Sequence, residues 1–243
     1  QLPCPFFIVA DMETILEPVS TVQNDPSKSS TTVTGIHRPC SAAYYIVSTD
    51  ENFYQPPHIF RGSEFVDIFL DSLLIDYKTL KQLWMRPLEL NFMDNEEDEF
   101  YAATNCHICK EVEAPDDILV RDHDHLTGKF RGASHSSCNL NYRINLNRYK
   151  VTVFFHNSSG SDAHLIMSAV KPKKHGKITC IPKTTEWYTA FTIGSAVFKD
   201  SYSFMSQSLD NLVKNLSADQ LSQTRKHIEQ MTANPESCLI ESV

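Results

Sequence analysis

The chain has no long apolar run: nowhere in its 243 residues do about eighteen such residues follow one another, which excludes a membrane-spanning helix. Its first residues, Gln1-Leu2-Pro3-Cys4-Pro5, lack the basic and apolar regions of a secretory signal. They also lack an initiator Met, so the expectation is a piece of a longer protein. A regular cysteine framework is missing too. Of seven cysteines, Cys4, Cys40, Cys180 and Cys238 are scattered. An odd, irregular set argues against disulfide stapling and for reduced thiols around one metal, hence an intracellular, reducing compartment. Nothing in the sequence specifies the nucleus. An excess of positive charge is absent as well. A net charge of -8 speaks against a non-specific nucleic-acid binder.

The distribution of charge weakens that last exclusion. Much of the acid sits in Asp94-Asn95-Glu96-Glu97-Asp98-Glu99, which reads as a solvated linker or helix start. Between Arg121 and Lys150 the balance reverses, with Arg121, Lys129, Arg131, Arg143, Arg148 and Lys150 against Asp122 and Asp124. A local basic patch of this kind can hold a phosphate backbone.

The apolar content, 41%, supports a sizeable core. Phe6–Ala10 reads as a buried strand ending in Asp11-Met12-Glu13, Ser41–Val47 as a second strand and His58–Phe60 as the start of a third. The stretch from Val19 to Thr34 reads as a loop. Glu64–Leu74 has a helical apolar face, with further helix to about Trp84. After a polar block, Val151–Phe155 resumes a strand and Asp162–Val170 a helix. Ile178–Ile181, Trp187–Ile193 and Ala196–Phe198 read as strands, Ser208–Leu216 and Ser217–Met231 as helices. Ser217 with Gln220 resembles a capping box. The expected fold class is α/β, a mixed sheet with helices interrupted by a small metal module. The domains expected are 1–95 with 149–243, and 96–148.

Within that module Cys106-His-Ile-Cys109 and His135-Ser-Ser-Cys138 are two pairs at matched spacing. Together they offer four donors to a tetrahedral structural Zn²⁺. His107 is left out, since its side chain should point away from the shared metal. Between the pairs runs Arg121-Asp122-His123-Asp124-His125-Leu126-Thr127-Gly128-Lys129-Phe130-Arg131-Gly132. On a β-ribbon, Asp122 and Asp124 would share one face, His123 and His125 the other. A polar hairpin with merely hydrogen-bonded histidines is the plainer alternative.

This block resembles the recombination endonuclease VII group of HNH (ββα-metal) nucleases. The shared pattern is Cys106-x-x-Cys109, then Asp122-His123-x-His125 with Gly128, Arg131 and Gly132, then a second knuckle and Asn139. The resemblance covers about residues 100 to 145. It implies that Asp122 and Asn139 hold a catalytic Mg²⁺ or Mn²⁺, that His123 is the general base, and that His125 contacts the phosphate or leaving oxygen. Lys129 and Arg131 would contact DNA. His135, where the family often has Cys, is a departure that zinc accepts.

The flanking sequence is similar to the exonuclease region of protein-primed family B DNA polymerases of the Polinton (Maverick) transposon kind. The residues are Asp11-x-Glu13, then His156-Asn157-x-x-Gly160-x-Asp162-x-His164, then Asp200-Ser-x-x-Phe204-Met-x-x-Ser208-Leu209. The resemblance implies a ribonuclease H-like fold and DNA replication. Asp11, Glu13 and Asp162 would hold catalytic Mg²⁺ or Mn²⁺, and His156 and Asn157 would lie beside a single-stranded 3′ end. For Asp200 a turn-holding role stands beside the catalytic one. The implied partners are branched, duplex or single-stranded DNA, the rest of the polymerase chain and a priming protein. Ser158 and Ser161 depart from that pattern. A closing Tyr-x-x-x-Asp motif and a polymerase palm are not found, so weak or absent exonuclease activity is expected. Two other readings compete: a non-catalytic zinc-stapled DNA-binding module, and a domesticated transposon remnant with a structural role.

Overall fold

A computed structural model of the chain describes residues 4–19, 35–50, 53–62, 64–112, 116–142, 150–158, 162–184, 188–233 and 239–241. Most of the loop expected from Val19 to Thr34 lies outside these residues, as do Arg143, Arg148, Ser161, Trp187 and Cys238. By compactness the chain divides into one unit of Gln1–Phe6, Ser48–Phe53 and Asp76–Val151, and another of Phe7–Val47, Tyr54–Ile75 and Thr152–Val243.

The elements, in chain order, are β1 (Phe6–Pro18), β2 (Gly35–Ser48), β3 (His58–Arg61), α1 (Phe65–Trp84), α2 (Glu96–Ala102), β4 (Leu119–His123), β5 (Phe130–His135) and α3 (Ser136–Asn141). They continue as β6 (Thr152–Phe155), α4 (Asp162–Ala169), α5 (Pro172–His175), β7 (Ile178–Pro182), β8 (Tyr188–Ile193), β9 (Ala196–Asp200), α6 (Leu209–Val213), α7 (Ser222–Ala233) and β10 (Leu239–Glu241). Among the described residues, eight strands form one mixed sheet in the order β10-β3-β2-β1-β6-β9-β8-β7. At its centre β1, β6 and β9 are parallel, with Ile8 opposite Val153 and Phe155 opposite Asp200. β2 with β3, β7 with β8, and β8 with β9 pair antiparallel.

Alternation decides which face of this sheet is the core. Ile8 and Met12 of β1, Tyr44 of β2, Phe60 of β3 and Val153 and Phe155 of β6 are buried. In α1, Phe65, Phe69 and Leu73 recur at helical spacing and are also buried. Phe69 makes edge contacts with Tyr44, Phe60 and Phe155. Each such side chain contributes about 1.5–3 kcal/mol when fully buried. The Tyr44 hydroxyl keeps a partner in the Ser72 hydroxyl at 2.8 Å. α5 is tied to α1 by Asp71, whose carboxylate bonds both Lys174 and the buried His175.

Several elements differ from their expected bounds. β1 does not end at Asp11-Met12-Glu13 but runs on to Pro18, because Met12 keeps the inward phase and the strand stays paired in the sheet. Asp11 and Glu13 are therefore mid-strand, on the outward face with Phe7 and Val9. The two helical stretches before Trp84 are one helix. α6 is shorter than expected. Ser217 and Gln220 do bond reciprocally, but α7 starts only at Ser222. The acidic run opens α2, placing four carboxylates at the positive end of that helix.

Candidate metal centre and nucleic-acid site

The smaller sheet is the hairpin β4–β5, and α3 follows β5 without a loop. Asp117 anchors the start of α3 by accepting from the Ser137 backbone N–H at 3.1 Å and from its hydroxyl. These bonds hold the Asp117 carboxyl below its ordinary value. Cys138 and Asn139 lie on the helix that these bonds anchor.

Cys106, Cys109, His135 and Cys138 bring one donor atom each to a common point, all within 4.8 Å of one another. The His135 ring is oriented for ligation. Its Nε2 lies 2.9 Å from the Val112 carbonyl, which only accepts, so Nε2 carries the proton and Nδ1 faces the thiols. Burial works against a Cys106 thiolate. The backbone N–H groups of Cys109, His135 and Ile108 outweigh it and bring that thiol down to about 7. Loss of hydration and the neighbouring Cys109 and Cys106 thiols push Cys138 up. Crowded sulfurs competing for protons, with one imidazole nitrogen turned toward them, are a donor set that fits zinc.

The Asp122-to-Gly132 segment departs from a regular ribbon. β4 ends at His123, and the register shifts between Asp122 and His123: Asp122 faces Gly132 while His123 faces Phe130. Arg131 is thus the extra residue of a bulge, a device that re-aims a side chain. Asp124 does not share the strand face of Asp122. It closes the following turn, accepting from the N–H groups of Leu126 at 2.7 Å and Thr127 at 3.2 Å. Asp and Asn favour such local bonds over continued pairing.

Asp122 is 1% exposed, and both its oxygens are occupied. Arg131 donates Nη2 to Oδ1 at 2.7 Å and Nε to Oδ2 at 3.1 Å, and the His107 Nε2–H reaches Oδ2 at 2.8 Å. His107 was missed from sequence because a residue next to a zinc ligand points away from the metal. Here that direction carries it to Asp122. Gly132 makes the approach feasible: its φ is +144°, and a Cβ there would lie 2.9 Å from the His107 side chain.

His123 is held differently. Its Nε2 lies 3.1 Å from the Leu88 carbonyl, which fixes the proton on Nε2 and leaves Nδ1 as an acceptor in the neutral ring. The His125 ring lies alongside at 4.9 Å and is exposed. The segment before α2 lies along this loop, with Leu88 N–H on the His125 carbonyl and Asn91 N–H on the Gly128 carbonyl. Gly128 permits that approach, since its φ is +74° and a Cβ would sit 2.7 Å from the Glu89 carbonyl oxygen.

The basic patch is partly committed to the fold. Arg121 lies over the Phe100 ring at 4.8 Å and bonds the Tyr101 hydroxyl, stapling α2 to β4. Lys129 is exposed.

On the large sheet, Asp11 and His156 line a cavity of about 600 Å³ walled by Phe7, Val9, Phe154 and Phe204. Loss of hydration raises the Asp11 carboxyl above its ordinary value. The Met12 N–H opposes this, the charge of Glu13 adds to it, and His156 opposes it. Both His156 nitrogens are engaged, with the Ser201 hydroxyl at 2.9 Å and the Gln207 carbonyl at 2.8 Å. Asn157 sits at φ +61° and gives its N–H to Asp200 Oδ1, which also accepts from the Tyr202 N–H. Asp200 therefore holds a strand-to-loop turn. Asp162, at the start of α4, is buried, and neither it nor Glu13 lines the cavity.

A hairpin, a helix and a soft four-donor cluster define a zinc-competent ββα module. Residues 87–149 match the model of the recombination endonuclease VII family, and this part of the chain is endonuclease VII-like. The matched span starts at residue 87 and so takes in the segment laid along the histidine loop. No curated protein shows significant similarity to the chain. Among the described residues no helix is long and apolar enough to cross a membrane.

Proposed function

We propose that the module is a zinc-stapled DNA endonuclease that uses His123 as general base. The observation that carries this is the His123 ring. Its bond to the Leu88 carbonyl leaves Nδ1 free of a proton in the neutral form, so that nitrogen can accept a proton from an attacking water. His125, alongside and exposed, would meet the phosphate or the leaving oxygen. Lys129 would hold the backbone. Zn²⁺ at Cys106, Cys109, His135 and Cys138 would fix the hairpin against α3 and take no part in the chemistry. A hard divalent cation, Mg²⁺ or Mn²⁺, would neutralise charge on the phosphate when held by Asp122 and Asn139. In the arrangement described above Asp122 does not accommodate it, since Arg131 and His107 hold both oxygens. Asn139→Ala is expected to lose cleavage while keeping zinc content and DNA affinity. A variant that cuts like the parent removes Asn139 from the site.

The closed state of Asp122 favours a second reading, a zinc-stapled module that holds DNA without cutting it. Its binding would be independent of Mg²⁺ and survive His123→Ala.

For the large unit the proposed reading is a ribonuclease H-like 3′–5′ exonuclease domain of a protein-primed family B DNA polymerase. The support is Asp11 on the central strand of a mixed sheet, beside His156 at the end of its parallel neighbour. Asp11, Glu13 and Asp162 would be its carboxylates, with Asn157 near the strand end. Weak or no trimming of a labelled single strand in Mg²⁺ is expected from this chain, and robust 3′ trimming by pure protein refutes that.

A further inference from the structure

We infer that Arg131 is a latch on Asp122, opened by a DNA phosphate, so that the hard cation and DNA bind this module together and neither binds fully alone. The inference rests on the endonuclease reading above and concerns how that site is controlled.

A carboxylate offers about four lone-pair positions. Arg131 takes two of them and His107 a third. The guanidinium lies 2.7 Å from Oδ1, where a divalent cation and its retained waters would have to sit. Two positive groups cannot share that place in a nearly dry pocket. Arg131 is therefore the counter-charge of Asp122 in the absence of DNA.

The same side chain is built to leave. It is the extra residue of the β4–β5 bulge, and its side chain remains 21% exposed where that of Asp122 is 1% exposed. Its guanidinium lies 5.5 Å from the Tyr142 ring centre. A phosphate presents the same two-oxygen edge as a carboxylate and can take the fork over. Stripping Arg131 from Asp122 with nothing in exchange would leave a buried charge unpaired, which is strongly unfavourable. The exchange becomes feasible when a cation enters as the guanidinium departs. His107, seated on Gly132, stays behind and keeps the carboxylate aimed. It acts as a positioning residue. Coupling of this kind is reciprocal, so DNA must tighten the cation by the factor that the cation tightens DNA.

The test uses the zinc-loaded chain carrying His123→Ala, to prevent cutting, and titrates Mn²⁺ by its free-ion electron paramagnetic resonance signal, with and without a short duplex. The parent is expected to bind Mn²⁺ weakly alone and at least about tenfold more tightly with duplex. Arg131→Ala is expected to bind it tightly without duplex and to gain little from it. Asp122→Asn should remove the site from both proteins. Equal Mn²⁺ affinity in parent and Arg131→Ala without DNA, abolished by Asp122→Asn, overturns the latch and leaves the endonuclease reading standing. No Mn²⁺ bound at Asp122 under any condition overturns both. Should Arg131→Ala lose its zinc, Arg131→Lys keeps the charge without the fork. The parent alone also decides, because a duplex that leaves its Mn²⁺ affinity unchanged contradicts the latch.

Discussion

Gly132 illustrates how a single backbone position governs the module's buried carboxylate. At φ +144°, with the His107 side chain 2.9 Å from where a Cβ would lie, Gly132→Ala adds both backbone strain and a collision. A loss of about 1–3 kcal/mol in denaturant unfolding of the zinc-loaded protein is expected. An unchanged midpoint would contradict the packing described. Asp11 gives a prediction of opposite sign. Its carboxyl is raised chiefly by loss of hydration, so the folded state prefers it protonated. The stability it contributes is full below the unfolded value of about 4 and is lost as pH rises through the higher folded value. Asp11→Asn should therefore raise the melting temperature at pH 7, with the gain fading toward pH 3. Thermal melts at the two pH values check it, and a variant less stable at pH 7 would show that the carboxylate is an asset to the fold. At this scale spacing made the zinc donors legible: two matched pairs bring four donors to one point. The contacts of Asp122 were not legible, since a one-residue bulge decides where Arg131 points and no periodicity encodes a bulge.

Among the elements, the hairpin and α3 are those that a zinc ion at Cys106, Cys109, His135 and Cys138 would hold together. α3 has six residues, and none of them is buried; too short to persist alone, it is held by Asp117 at its start and by Cys138 within it. Removing zinc with a chelator should abolish amide protection in β4, β5 and α3 while β1, β6 and β9 keep theirs. Hydrogen exchange resolves the two groups, and a protected hairpin in the metal-free chain would show that packing alone sustains it. Strand and helix identities were mostly readable because apolar phase changes from two to 3.6 residues. Phe69 and Leu73 on α1 and Val153 and Phe155 on β6 carry that signal. The length of β1 was not readable, since beyond Met12 the strand persists through backbone pairing rather than an apolar pattern. The segment from Leu88 to Asn91 also escaped, because backbone bonds to the His125 and Gly128 carbonyls leave no trace in side-chain type.

For the molecule as a whole, the net charge of -8 does not describe how the charges of the zinc-competent module are placed. The acid of residues 94–99 is spent at the start of α2, and Arg121 and Arg131 are bound to aromatic rings and to Asp122. Among the described residues of the basic patch, Lys129 is exposed and would face DNA on the proposed reading, together with any fork that Arg131 gives up. On the proposed reading this module cuts DNA through His123. The most direct measurement is nicking of supercoiled plasmid in Mg²⁺ by the chain and by His123→Ala at matched zinc content. Mg²⁺-dependent nicking is expected of the chain, falling by at least about a hundredfold in the variant. Equal binding by both proteins with no cutting by either would contradict it.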